Sequence, residues 1–228
     1  MSNFVQYLQN IPQPEQRSKE WYEQRGNLVT SSNIATILDM NPYKKSSVYL
    51  NELVNGTNDF RGNIATIHGT YFEDHAINAY MDAFGYSGTN LGLIRLIDNK
   101  QHRDISYIQE KNINWLAGSL DKLVWKSEIT EPTQADAISV ECKCPYNQPQ
   151  LKFGTVKGYY WPQVQFNMYI SDTDVGDYIE MVPQGFRGNS FKMNVVRVYR
   201  DDAWLHGFAL PKLEEFYMKW QDQKQRKK

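Results

Sequence analysis

Residues 137–144 read Ala-Ile-Ser-Val-Glu-Cys-Lys-Cys, and this octapeptide constrains the fold more than any other stretch of the chain. Ile138, Val140, Cys142 and Cys144 alternate with Ser139, Glu141 and Lys143. Strict alternation marks a β-strand, because successive side chains leave a strand on opposite faces. One face is predicted to be apolar and buried. The other presents Glu141 and Lys143 side by side, an acid and a base spaced to bind a metal ion and stabilise charge next to it. The plainer reading is a solvent-exposed strand face with a favourable ion pair, and Glu-x-Lys alone does not separate the two.

The flanking sequence predicts helices and strands in one α/β domain spanning residues 1–228. Residues 1–16 are polar and proline-punctuated and read as a loosely held arm. A short helix is expected over 17–24, then a second helix capped by Ser32 or equally by Ser31. A turn from Asn41 leads to a helix ending near Gly56. Residues 68–84 form a longer helix that stops at Gly85, with Phe72, Ala76, Ala79 and Ala83 at helical spacing. Strands are expected at 91–97, 104–109, 114–127 and 137–144, with 130–136 as a hairpin-type connection. Pro162 opens a helix over 160–171. Two strands follow, over 176–184 and 191–200. A long helix over 201–223 and a basic tail to 228 close the chain.

Charge and cysteine content narrow the function classes. The 25 basic and 26 acidic residues give a net charge of −1, so a chain-wide basic signature for nucleic acid is missing. Any nucleic-acid surface must come from local clustering of Lys and Arg, and a passive DNA-coating protein is disfavoured. An enzyme whose site is acidic because it holds metal ions fits better. Cys142 and Cys144 are the only cysteines, too few for a four-cysteine metal or iron–sulfur site. They read as reduced thiols of a cytoplasmic protein. No apolar stretch approaches the ~18 residues of a membrane span, and no secretory signal pattern is visible. The four histidines are scattered, and no Ser-His-Asp or Cys-His arrangement can be assembled.

Two further acids join Glu141 and Lys143. Asp121 lies in Gly-Ser-Leu-Asp-Lys-Leu, twenty residues before Glu141. Adjacent antiparallel strands would bring it beside Glu141, although an Asp after Gly-Ser also suits a turn. Glu73, on the 68–84 helix, falls in line with Ile77 and Tyr80. A carboxylate bordering an apolar face is costly without a partner, and a metal ion is one such partner. The alternative is a snorkelling or capping Glu near the helix start. Three carboxylates and one lysine suit metal-assisted phosphodiester hydrolysis, with Mg²⁺ or Mn²⁺ preferred by hard oxygen ligands.

Asp121 followed by Glu141-Cys142-Lys143 matches the D…(D/E)-x-K signature, and the chain resembles the phage lambda exonuclease / YqaJ recombinase family of PD-(D/E)XK nucleases. The run Glu-Cys-Lys-Cys-Pro-Tyr at 141–146 is similar to that family, as are Ala-Gly-Ser-Leu-Asp-Lys-Leu at 117–123 and Trp-Pro-Gln-Val-Gln at 161–165. So are Trp21, Arg25, Val29, Thr30 and Ser32, in the pattern W-x-x-x-R-x-x-x-V-T-x-S, and the helix carrying Glu73. Leu120 replaces the Pro of the nominal signature. The matches keep the family's order from Trp21 to about Ile170.

The resemblance implies a restriction-endonuclease-like core, a central mixed sheet flanked by helices. It implies Glu73, Asp121, Glu141 and the backbone carbonyl of Cys142 as ligands of two Mg²⁺ ions, and Lys143 as the catalytic lysine. Arg25, Ser32, Ser119 and Gln163 match positions that hold a terminal or neighbouring phosphate; Gln165, with Tyr169, fits a related Q-x-x-x-Y pattern, so Gln163 and Gln165 both remain candidates. The implied activity is 5′→3′ resection of linear double-stranded DNA to leave 3′ single strands for recombination. A homotrimer, a single-strand annealing partner and a phage or viral setting are implied too, in the host cytoplasm or, for a eukaryotic virus, the nucleus. Two readings compete: a site- or structure-specific endonuclease of the same fold, and a module that binds DNA ends without cutting. Residues 171–228 carry no transferable motif.

Overall fold

The computed structural model describes residues 3–14, 18–57, 62–147, 151–184 and 190–227. Helices α1 (Phe4–Gln9) and α2 (Lys19–Arg25) precede strand β1 (Val29–Thr30). A 3-10 turn at Ser31–Asn33 leads into α3 (Ile34–Ile37), followed by α4 (Ser46–Asn55) and α5 (Ile64–Phe84). Then come β2 (Tyr86–Thr89), β3 (Ile94–Arg95), α6 (Ile105–Glu110), β4 (Leu116–Gly118), β5 (Lys122–Lys126) and β6 (Ile138–Lys143). Helix α7 (Trp161–Ser171), strands β7 (Val175–Gln184) and β8 (Ser190–Tyr199), and helices α8 (Asp202–Trp204) and α9 (Leu210–Arg226) complete the chain.

The strands make two mixed sheets flanked by helices, ordered β1-β4-β3 and β2-β5-β6-β7-β8. Strands β6 and β7 are parallel and α7 is their crossover, as parallel pairing requires. The other neighbours of the large sheet are antiparallel. Helix α5 packs Ala76, Ile77 and Tyr80 onto Val140 and Cys142, the apolar face expected of β6, and onto Ile179 of β7. The largest core cluster gathers Leu116, Leu120, Phe166, Ile170, Leu213 and Phe216. Among the described residues, no helix is long and apolar enough to cross a membrane.

Several local expectations are corrected. Residues 3–11 are not a loose arm: Asn3 caps α1, and Val5, Leu8 and Ile11 are buried in the main core. Residues 1–2 and 15–16 of that stretch lie outside the described residues. Residues 104–109 are not a strand. Ile105 and Ile108 are three apart, and α6 turns Ile108 fully inward, a helical period that so short a run cannot distinguish from alternation. The 114–127 stretch is two strands in two different sheets, broken at 119–121. In 91–97 only Ile94–Arg95 pairs as a strand. Neither Ser31 nor Ser32 caps α3 with its side chain.

The C-terminal end of α7 is anchored from outside the helix. Asp172, in the left-handed region at φ 59°, accepts from Arg103 Nε at 2.7 Å and Arg200 Nη1 at 3.0 Å. Buried His102 donates from Nε2 to the Tyr169 carbonyl at 2.6 Å, while its Nδ1 accepts from the Asp104 amide at 2.9 Å. Only the neutral ring satisfies both bonds, and burial lowers its pKa from the ordinary 6.5, against the opposing pull of Asp172.

Two outcomes follow. Leu8→Ala is expected to cost about 2–5 kcal/mol, as at other buried leucines; an effect within about 0.5 kcal/mol in urea denaturation would restore the loose arm. Because unfolded His102 takes up a proton that the folded ring resists, unfolding free energy should drop as pH falls below about 6.5. Urea midpoints from pH 7 to 5 should fall less steeply in His102→Gln.

Candidate active site

Strand β6 turns Ser139, Glu141 and Lys143 toward α7, opposite the face covered by α5. That face is not solvent-exposed: Glu141 is 1% exposed. Its carboxylate accepts from Lys143 on Oε1 and from Asn167 Nδ2 on Oε2 at 2.7 Å. A buried carboxylate needs such donors, because transfer from water is otherwise prohibitive.

Asp121 stands where β4 of the small sheet passes into β5 of the large one. Strand β5 pairs antiparallel to β6 with Lys122 opposite Val140, and one step further along that register Asp121 lies opposite Glu141. The Asp121 amide donates to the Val140 carbonyl at 3.2 Å. Its Oδ2 accepts from the Cys142 amide at 2.7 Å, so the side chain takes over where the ladder stops. The expected neighbourhood of Asp121 and Glu141 is thus present. Burial first, then the Asp121 charge, push the Glu141 carboxyl well above the ordinary value, with Lys143 and Asn167 opposing. Burial alone would lower Lys143, but the Glu141 and Asp121 carboxylates outweigh it and hold the ammonium charged. The Lys143 ammonium also lies 5.4 Å from the centre of the Tyr160 ring, a cation–π contact.

Arg25 ends α2, where its side chain is held in place. Its guanidinium lies 4.7 Å from the Trp21 ring centre and donates to Ser32 Oγ at 2.6 Å. Burial lowers its pKa, with Tyr49, then Tyr22 and Glu141, opposing the shift. Ser119, between β4 and Asp121, donates to the Gly92 carbonyl at 3.2 Å. The two glutamines part company. Gln165 is fully buried; its Nε2 donates to the Tyr199 carbonyl at 2.9 Å and its Oε1 accepts from the Asp201 amide at 2.8 Å. Both ends of its amide are bonded to the backbone of the C-terminal segment, which gives Gln165 a structural role beside its candidacy for phosphate. Gln163 is half-buried and precedes Asn167 by one helical turn, on the face that reaches Glu141.

Glu73 approaches from the other layer. It sits on α5 and is half-buried, and its charge acts on the Cys142 thiol, whose pKa is raised first by Cys144 and by burial. His68, on the same helix, donates from Nδ1 to the Cys144 carbonyl at 3.1 Å and so ties α5 to the end of β6. Among the described residues, no three His, Cys, Asp or Glu side chains converge closely enough to hold a metal ion. Two carboxylates do meet, and Mg²⁺ commonly takes one or two with water and substrate phosphate completing its shell. The hard-oxygen donor set and the mutual repulsion of Asp121 and Glu141 fit a cation there.

With this geometry established, the chain can be compared with known proteins. The model of the YqaJ-like viral recombinase domain matches residues 20–174. The chain belongs to that family. The match takes in every residue of the site, from Trp21 to Asn167. Protein D345L of African swine fever virus is 29% identical over 193 residues, covering 79% of this chain and 53% of that protein. An uncharacterized mimivirus protein, R354 of Acanthamoeba polyphaga mimivirus, is 28% identical over 182 residues, covering 76% of this chain and 30% of that protein. The chain thus spans about half of one viral relative and under a third of the other. In fold, the chain superposes on the alkaline exonuclease LHK-Exo of Laribacter hongkongensis with a TM-score of 0.67 at 24% identity, covering 92% of this chain and 95% of that one. The same exonuclease has been solved in complex with dAMP. The core is therefore the restriction-endonuclease-like one that the resemblance implied.

Within this family member, Asn167 is the site residue that motif reading passed over. Its signal was a lone amide in the apolar run Phe166 to Ile170, one turn after Gln163. Glycine at 118 lets α7 come this close. A Cβ there would lie 2.8 Å from Ile170 Cδ1 and 3.1 Å from Ser31 Oγ.

The two glutamines should separate by experiment. Gln165→Ala is expected to lower stability by about 1–3 kcal/mol by stripping two backbone groups of their partner. Gln163→Ala should stay within about 0.5 kcal/mol. Equal effects in chemical denaturation would contradict the division of roles.

Proposed function

We propose that this protein is a divalent-metal-dependent deoxyribonuclease that degrades linear double-stranded DNA from its 5′ ends. The observation that carries the reading is the meeting of buried Glu141 with half-buried Asp121 and Lys143 at the junction of the two sheets. Family membership and the fold shared with an alkaline exonuclease support it.

Asp121 and Glu141 would hold Mg²⁺ or Mn²⁺, with Glu73 and the Cys142 carbonyl contributing from the α5 side. The bound cation would polarise the scissile phosphate and lower the pKa of the attacking water. Lys143 stays charged, and its role is to orient that water and offset negative charge developing at the phosphate. Arg25 and Ser32, with Ser119 and Gln163, form the phosphate-holding side. Arg25 supports the end-directed form of the reading. Its planar guanidinium, braced by Trp21 and Ser32, is a fork suited to a phosphate. A terminal phosphate held there would set the cut at the end of a strand. Such resection leaves a 3′ single strand, the substrate class of a strand-annealing partner.

The test is digestion of linear duplex labelled at the 5′ or the 3′ end, with Mg²⁺ or EDTA, beside nicked and closed circles. The expected result is release of 5′-labelled nucleotides from linear DNA only, abolished by EDTA. Lys143→Ala should slow the reaction by about 10²–10³-fold, the scale for losing one charge-stabilising donor. Cutting of closed circles would replace the exonuclease with an endonuclease of the same fold. DNA-end binding without any metal-dependent cutting would leave a binding module.

A further inference from the structure

We propose that Asn167 is a positioning residue for the metal site: it sets the orientation of the Glu141 carboxylate and thereby the affinity for the divalent cation. The inference rests on the metal-dependent reading above and deepens it.

Glu141 has two oxygens, and each has one side-chain donor. Lys143 takes Oε1, and Asn167 Nδ2 takes Oε2 at 2.7 Å. The two donors differ in kind. Lys143 lies on the same strand, on a long stem with rotatable bonds, and its side chain is a quarter exposed. Asn167 lies on a different element, is 1% exposed, and sits within a helix turn whose neighbours Phe166, Met168, Tyr169 and Ile170 are fully buried. A short amide locked in packing fixes a direction in a way a flexible ammonium does not.

The amide cannot be turned over without loss. Nδ2 faces Glu141, the orientation an ionised, metal-binding carboxylate requires because it only accepts. Flipping the group would bring Oδ1 against a carboxylate oxygen. In the observed orientation Oδ1 is buried with no donor from the protein, on the side of Ser31 and Gly118. An unpaired buried amide oxygen is costly, and an apolar residue in this turn would avoid the cost. The arrangement is explained if the bond from Nδ2 to Glu141 has a use beyond packing. Helix α7 is itself held, by Pro162 at its start and by the Asp172 contacts at its end, so the donor is delivered from a rigid element. Residues of this kind, which orient a ligand without touching the metal, commonly change metal affinity by about 10–100-fold.

The test is calorimetric titration of wild type, Asn167→Leu and Asn167→Ser with Mn²⁺ alone, after circular dichroism has checked that each is folded. Single-turnover and steady-state cleavage of linear duplex run beside it. Asn167→Leu keeps the volume and removes the donor; Asn167→Ser is the smaller polar variant that keeps the test alive if leucine prevents folding. The expected result is Mn²⁺ binding about 10–100-fold weaker in the folded variants, with kcat reduced and KM for DNA unchanged. Variants that melt at lower temperature yet bind Mn²⁺ as wild type does would reduce Asn167 to packing and overturn the inference, leaving the proposed function standing. A wild-type protein that binds no Mn²⁺ would sink both.

Discussion

Two carboxylates, buried Glu141 and half-buried Asp121, meet across adjacent strands, and most of the architecture around them can be read as the means of keeping them there. Each would be intolerable in an apolar interior without donors. Glu141 is held by Lys143 and Asn167, Asp121 by the Cys142 amide. These partners come from β6, through Lys143 and the Cys142 amide, and from the crossover helix, through Asn167, so the site exists only when strand and helix are assembled. Burial first, and then the repulsion between the two, still raises the Glu141 carboxyl. A site that is electrostatically unsettled without a cation is one that gains by taking one up.

Helix α7 does the work of connection. It joins the parallel pair β6–β7, covers the polar face of β6, and packs Phe166 and Ile170 into the main core. Its two glutamines show how one helix serves two ends. Gln165 faces inward and stitches the start of the C-terminal helices to the body, while Gln163 lies on the same side as Asn167. The break between β4 and β5 is equally consequential. By passing from one sheet to the other, the chain leaves Asp121 at the crossing, opposite Glu141 rather than inside a regular ladder.

Membership in the YqaJ-like viral recombinase family gives this geometry its context. The residues that meet at the site come from α2, the β4–β5 junction, β6 and α7, all inside the matched span. Residues beyond 174 complete the large sheet with β7 and β8 and supply α9 to the main core. They carry no recognisable motif because their contribution is to close layers, which many sequences can do.

The alternation in 137–144 determined by itself that β6 is a strand and that Glu141 and Lys143 share a face, since the period of a strand is a local property. Pro162, Gly56 and Gly85 marked helix boundaries for the same reason: backbone freedom is decided residue by residue. The order of motifs from Trp21 to Ile170 was enough to name the family. What the sequence left open was decided by contacts distant in the chain. Whether Gln163 or Gln165 is free depends on Tyr199 and Asp201, more than thirty residues away. Whether Asn167 belongs to the site depends on its meeting Glu141 across two layers. The first residues looked like a loose arm because their few apolar side chains have no local period. They are ordered because Leu8 and Ile11 find the main core. Residues 104–109 fit a strand and a helix equally well in isolation, and burial of Ile108 selected the helix. A short pattern reports which faces a segment can offer; only the folded chain decides which donors and acceptors are already taken.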